Sequence, residues 1–185
     1  MNQPNALAST LVSTRPSVGA QAAWPASVQR VIDVLHTAGH SQHPVMLDGA
    51  ARTAQQAADA LGVELGQIAK SIVFMRQPDG VHVLVITAGD RRVDTAKVEA
   101  IIGAPGQRLA KATADDVREC TGFAIGGVPP VAHARAGVTL IDQSLQRFDV
   151  VWAAAGHPHA VFQIPVGQLE PLTGARFQDV VEESV

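Results

Sequence analysis

Tyrosine is missing from this 185-residue chain, and cysteine occurs once, at Cys120. A single thiol can close no internal disulfide and build no thiolate metal cluster. Aromatic residues make up only 4% of the sequence, so a core has to be assembled from Val, Ile, Leu and Ala. No apolar run reaches the length that spans a bilayer. The opening residues, MNQPNALASTLVSTRPSVGAQAAWP, lack a basic start followed by an apolar block, so they do not read as a secretory signal. Cationic excess is absent as well: 14 Lys and Arg stand against 17 Asp and Glu, giving a formal net charge of −3. That balance argues against broad coating of nucleic acid, DNA included, but not against a grip on one short end. A cytoplasmic protein with no membrane partner is the expectation.

What is present suits a globular domain. The composition is 46% hydrophobic and 17% charged. Residues 1–25, rich in Ser, Ala, Gln and Pro without a period, read as a flexible extension, and 26–185 as one domain. Ser27 reads as the cap of a helix to about Ala38, with Val28, Val31, Ile32 and Leu35 on one face. PVMLD reads as a short strand. Thr53 to Gln56 has the form of a capping box for a helix ending near Gly62. ELGQIAK is a turn leading into the strand SIVFMRQ, and Pro78-Asp79-Gly80 turns the chain into the strand VHVLVITAG. Asp94 caps the next helix, a strand covers QRLA, and Thr113 to Asp116 caps a helix to about Cys120. VTLID, VVWAAAG and AVFQI are three further strands. Pro165 opens a last helix that Gly174 ends, and ARFQDVVEE reads as a short turn or helix. This order has no regular strand–helix alternation, which predicts a mixed sheet, partly closed, rather than a doubly wound one.

The stretch TGFAIGGVPP sets two adjacent glycines and two adjacent prolines within five residues, Gly126 to Pro130. Glycine permits positive φ and close approach to the main chain, while proline fixes φ and extends its predecessor. A tight turn is the plain reading; a rigid loop offering bare N–H groups to a ligand is the sharper one. Lys70 opens the apolar strand and shares a face with Ile72 and Phe74, so it is placed to look into a cavity, against the plainer reading of a lysine that snorkels at a strand edge. Arg91, Arg92 and Lys97 form a local basic group that suits a nucleic-acid end, although a solvated helix start explains them more simply. His36, His40 and His43 lack the companions of a metal site, and no metal is expected. His157 and His159 sit in a strand-to-strand loop, at a pocket wall or a polar hairpin tip. Cys120 fits a small core residue better than a nucleophile. Walker, dinucleotide and nucleophile-elbow patterns are absent.

The order of these features carries a resemblance. IAKSIVF is followed by a hairpin, then GDRRVDTAKVEAIIG, ADDVRECTGFAIGGVPPVAHA, VTLIDQSL, VVWAAAGHPHAVFQI and ARFQDVVEE. From about Val45 to Glu183 the chain resembles the YbaK family of aminoacyl-tRNA deacylases, to which the editing domain of bacterial prolyl-tRNA synthetases is related. The resemblance implies an α/β mixed fold whose central mixed, partly barrel-like sheet is surrounded by helices. It implies a pocket for the aminoacyl end of a mischarged tRNA, with no cofactor. Lys70, Gly126 and Gly127 would be its catalytic positions, and Val128, Pro129, Pro130 and His159 its substrate contacts. The glycines would let the ester approach backbone N–H groups while the prolines hold the loop still.

The resemblance and the residues together leave three functions open. The first is a freestanding trans-editing hydrolase that cleaves the ester of a small amino acid from tRNA-Pro or a related tRNA, with a synthetase as a further partner. The second is a non-catalytic module of the same fold that holds an aminoacyl-tRNA or a synthetase. The third, a small-molecule esterase, lacks an activated nucleophile and ranks last.

Overall fold

A computed structural model of the protein describes residues 24–41, 43–47, 53–103 and 108–183. Nearly all of the expected extension, residues 1–23, lies outside the described residues. Trp24 and Pro25 do not behave as a tail: Trp24 packs against the main core, and the Pro25 carbonyl accepts hydrogen bonds from the N–H groups of Val28 and Gln29.

The first helix, α1 (Ala26–Thr37), therefore starts earlier than expected. Pro25, with φ of −50°, stands at its cap position in place of Ser27, because the proline ring already holds a helix-compatible φ. Val28, Val31 and Leu35 form its buried stripe. After β1 (Val45–Met46) comes α2 (Ala54–Leu61), whose capping box is the expected one, with Thr53 and Gln56 bonded reciprocally. A 3-10 turn (Leu65–Gln67) then leads into β2 (Ile68–Gln77) and β3 (His82–Ala88). Asp79 stabilises their turn by accepting from Val81 N–H and by pairing with Arg76 at 2.7 Å. The remaining elements are α3 (Thr95–Ile102), β4 (Arg108–Lys111), α4 (Ala114–Thr121), β5 (Val138–Asp142), β6 (Val150–His157), β7 (Ala160–Pro165), α5 (Leu169–Thr173) and β8 (Phe177–Gln178).

Two expectations near the C-terminus change. Pro165 closes β7 and caps a 3-10 turn over Val166–Gln168, so α5 begins only at Leu169. ARFQDVVEE supplies no helix. Its Phe177 and Gln178 add a parallel strand to β5, and Val180 is buried in the small core under α3.

The strands form one mixed sheet of eight in the order β1-β7-β6-β2-β3-β5-β8, with β4 attached to β2 off that path. β3 is buried along its whole length, and its alternate side chains feed two cores. Leu84, Ile86 and Ala88 join α1, β6 and β7 in the larger core; Val83 and Val85 join Val98 of α3 and Val180 in the smaller. On the side away from β3, β2 pairs with β6 only at Ile68 and Ala69, and with β4 only from Phe74 to Gln77. Residues 70–72 of a central strand are thus left with an open edge.

Candidate functional site

A cavity of about 250 Å³ lies over this opening. Lys70, Ser71 and Ile72 of β2 form its floor, α2 contributes Ala54 and Ala57, and Ile125, Gly126 and Val128 of the glycine-proline loop close it with Pro158 of the β6–β7 turn. A smaller, mostly apolar recess of about 110 Å³ shares Ser71, Ile72, Ile125, Gly126 and Val128, and continues to Ala112 and Val117. Of the residues singled out in the sequence, the structure brings Lys70, Gly126 and Val128 together on this cavity. Gly127, Pro129, Pro130 and His159 are not on its wall.

The loop is built by local rules. α4 ends at Gly122, whose φ of +76° is a left-handed cap, and Arg30 of α1 donates to the Thr121 and Gly122 carbonyls. Phe123 is then pinned in the core beneath the Arg30 guanidinium, 4.0 Å from the ring centroid. From Ala124 the chain makes a β-turn in which Gly127 N–H donates to the Ala124 carbonyl at 3.0 Å. Gly126 is the third residue of that turn, with φ of +85°, a position where a side chain is strained. Gly127 has a different task. A Cβ on it would lie 2.8 Å from the His157 carbonyl carbon, so its bareness serves the packing of the loop on the β6–β7 turn. Its N–H is used inside the turn, whereas the N–H groups of Gly126 and Val128 are engaged by no main-chain or side-chain group among the described residues.

Behind the loop, His133 donates from Nε2 to the Pro129 carbonyl at 2.8 Å; a carbonyl only accepts, so this nitrogen carries the proton. Its ring meets Phe123 and the buried His82 edge-on. Burial holds the His133 imidazole below the ordinary histidine range, with the Pro129 bond working against it. The sequence reading gave this residue no part in the loop, although it lies only three positions beyond the prolines.

Lys70 Nζ donates to the Arg91 carbonyl at 2.7 Å, which ties the cavity to the turn after β3. Burial pushes the Lys70 ammonium below the ordinary lysine range; the carboxylates of Asp90 and Asp142 oppose this and Arg92 reinforces it. Asp142 is itself buried, accepting from Thr87 Oγ1, Ala88 N–H and both the N–H and hydroxyl of Ser144. In the basic group near the site, Lys97 is committed to Asp179 and to the Val181 carbonyl. Arg91 and Arg92 form no ion pair among the described residues. His157 and His159 pack edge-on at the hairpin tip, with His159 N–H donating to His157 Nδ1. Cys120 is buried, and burial pushes its thiol above the ordinary range, which fits a core residue. Among the described residues no His, Cys, Asp and Glu group is arranged to hold a metal ion, and no helix is long and apolar enough to cross a membrane.

Comparison with known proteins gives this geometry a context. The family model of the aminoacyl-tRNA editing domain matches residues 48–172. A solved structure described as a candidate trans-editing enzyme for prolyl tRNA synthetase superposes with a TM-score of 0.79 at 41% identity, covering 87% of this chain and 100% of that one. The uncharacterized protein YwhH of Bacillus subtilis is 35% identical over 117 residues, 63% of this chain and 72% of the relative. The proline–tRNA ligase of Limosilactobacillus fermentum is 32% identical over 99 residues, which is 52% of this chain but only 17% of the ligase.

Proposed function

Because the chain belongs to the aminoacyl-tRNA editing domain family, we propose that it hydrolyses the ester of a mischarged aminoacyl-tRNA as a freestanding, trans-acting enzyme. The observation that carries this reading is that Lys70 lines one cavity with Gly126 and Val128, whose N–H groups no described residue engages. An ester carbonyl lying against the loop would receive those two N–H groups, which are fixed before the substrate arrives and so stabilise the negative charge that develops on oxygen. Lys70, held by the Arg91 carbonyl, would present its remaining protons to the terminal ribose. Water adds its oxygen to the carbonyl carbon, the bond to the ribose oxygen breaks, and that oxygen takes a proton. The products are a free amino acid and a tRNA with a free 3′ end.

The cavity's size supports a small amino acid as the substrate, and the similarity to a candidate trans-editing enzyme for prolyl tRNA synthetase supports tRNA-Pro or a relative of it as the carrier. Arg91 and Arg92, free of carboxylate partners among the described residues, suit the phosphates of the acceptor end. Pro129, Pro130 and His159 then act from behind the wall, keeping the loop and hairpin in place. One observation favours a second reading: among the described residues neither a carboxylate nor an imidazole lines the cavity, as expected of a module that only holds an aminoacyl-tRNA. Incubation with tRNAs charged with alanine, serine, cysteine, threonine and proline separates the two. Release of one or more small amino acids supports the hydrolase; tight binding with no release on any of them supports the holding module.

A further inference from the structure

Ser71 occupies the centre of the open edge of β2. The Ala112 N–H donates to the Val73 carbonyl, so Val73 turns its main-chain groups away from β3 toward β4. Main-chain direction alternates along a strand in an antiparallel ladder, which points the N–H and C=O of Ser71 to the same side. Neither β6, whose pairing stops at Ala69, nor β4, whose pairing starts at Phe74, reaches them. The Ser71 hydroxyl is buried and has no hydrogen-bond partner among the described residues. Such a group destabilises a fold unless something else satisfies it.

The chemistry of the wall says what that partner is. The N–H groups of the loop and the ammonium of Lys70 are donors and suit the oxygens of an ester. An aminoacyl ester also carries an α-amino group, which needs acceptors. Among the described residues only Thr53 and Ser71 bring side-chain oxygen to the cavity and its recess, and Thr53 Oγ1 already accepts from Gln56 N–H in the α2 cap. We infer that Ser71 receives the α-amino group of the substrate, through its hydroxyl oxygen and its unpaired carbonyl, and so selects aminoacyl esters over other acyl esters. This inference rests on the proposed function, since it takes the cavity to hold an aminoacyl group.

The test is Ser71→Ala, compared with the wild type on an aminoacyl-tRNA that the enzyme cleaves and on its α-hydroxyacyl counterpart, such as the alanyl and lactyl pair. The wild type should prefer the amino ester, and in the variant that preference should shrink by about 10- to 100-fold. The melting temperature should hold or rise, because the change removes an unsatisfied hydroxyl. An equal loss on both esters would place Ser71 on the water or the ribose and overturn the assignment, as would an unchanged preference. Binding of 3′-amino-3′-deoxyadenosine carrying the same alanyl or lactyl group in amide linkage reads the contact without hydrolysis. If the wild type cleaves no ester yet binds the alanyl amide better through Ser71, the hydrolase reading fails and this one stands. Equal binding of both amides by wild type and variant overturns it.

Discussion

Replacing Gly127 with alanine tests whether the glycine-proline loop is held by the hairpin beside it. The new Cβ would stand 2.8 Å from the carbonyl carbon, 2.9 Å from the Cα and 3.0 Å from the nitrogen of His157. All three are main-chain atoms of β6, so no rotamer change relieves the contact and the loop and hairpin must separate. Overpacking of this kind costs about 1–3 kcal/mol. In a chain of this length each kcal/mol moves the melting temperature by about 2–4 °C, so a fall of about 2–12 °C is expected. The rate should fall with it, by about tenfold or more, because Gly126, Val128 and Pro158 line the same cavity and lose their mutual spacing. Gly126→Ala is the control. Its φ of +85° makes alanine costly there by about 1 kcal/mol. Its methyl group, however, would meet Pro158 at an ordinary 3.8 Å. That variant should melt closer to the wild type yet lose activity, since the methyl group enters the substrate's space. Thermal melts and single-turnover deacylation on the same preparations give both numbers. A Gly127→Ala protein that melts with the wild type and keeps its rate would refute the idea that contact with His157 fixes the loop.

Lys70→Ala should stay folded and lower deacylation by roughly 10- to 1000-fold, the loss of one fixed donor; unchanged turnover in a folded variant would return Lys70 to an anchor for the Arg91 carbonyl alone. His133→Phe keeps a ring against Phe123 but leaves the Pro129 carbonyl without its donor. It should lose about 0.5–1.5 kcal/mol and slow the reaction, whereas a wild-type rate would show that the prolines hold the loop unaided. Burial holds both His82 and His133 below the ordinary value of 6.5, so the unfolded chain binds their protons first as the pH drops. The stability they confer is complete above pH 6.5 and is lost as the pH falls below it. Melting temperatures between pH 7.5 and 5 should therefore fall less steeply in a His82→Gln, His133→Phe double variant than in the wild type; parallel slopes would show that other groups set the acid limit.

How far the sequence discloses this molecule depends on the range of the interactions involved. Capping boxes at Thr53 and Thr113, the Asp94 cap and the Asp79 turn are settled within a few residues, and they read correctly from the chain alone. Pro165 and the C-terminal segment do not, because β8 exists only through its pairing with β5, some thirty-five residues earlier. The site divides in the same way. Period two along β2 puts Lys70 with Ile72 and Phe74, yet those two pack beneath α3, on the face opposite the loop. Lys70 lines the cavity where the edge of the strand is open. The residues that share the loop's face are Ala69 and Val73, in one core with Phe123 and Val128, and Ser71 lies between them. No local pattern marks Ser71, since a serine within an apolar strand looks like an ordinary interruption. Its importance arises from two distant strands that stop short of it on either side, β6 before and β4 after. A gap in a ladder is a property of register, and register is fixed by burial and turn geometry across the whole sheet. The loop reads as a rigid donor array from its composition, yet the separate tasks of its glycines emerge only from the approach of His157 to Gly127, thirty positions along the chain. Residues that form a turn are visible in sequence; residues that leave an opening are visible only once their neighbours are placed.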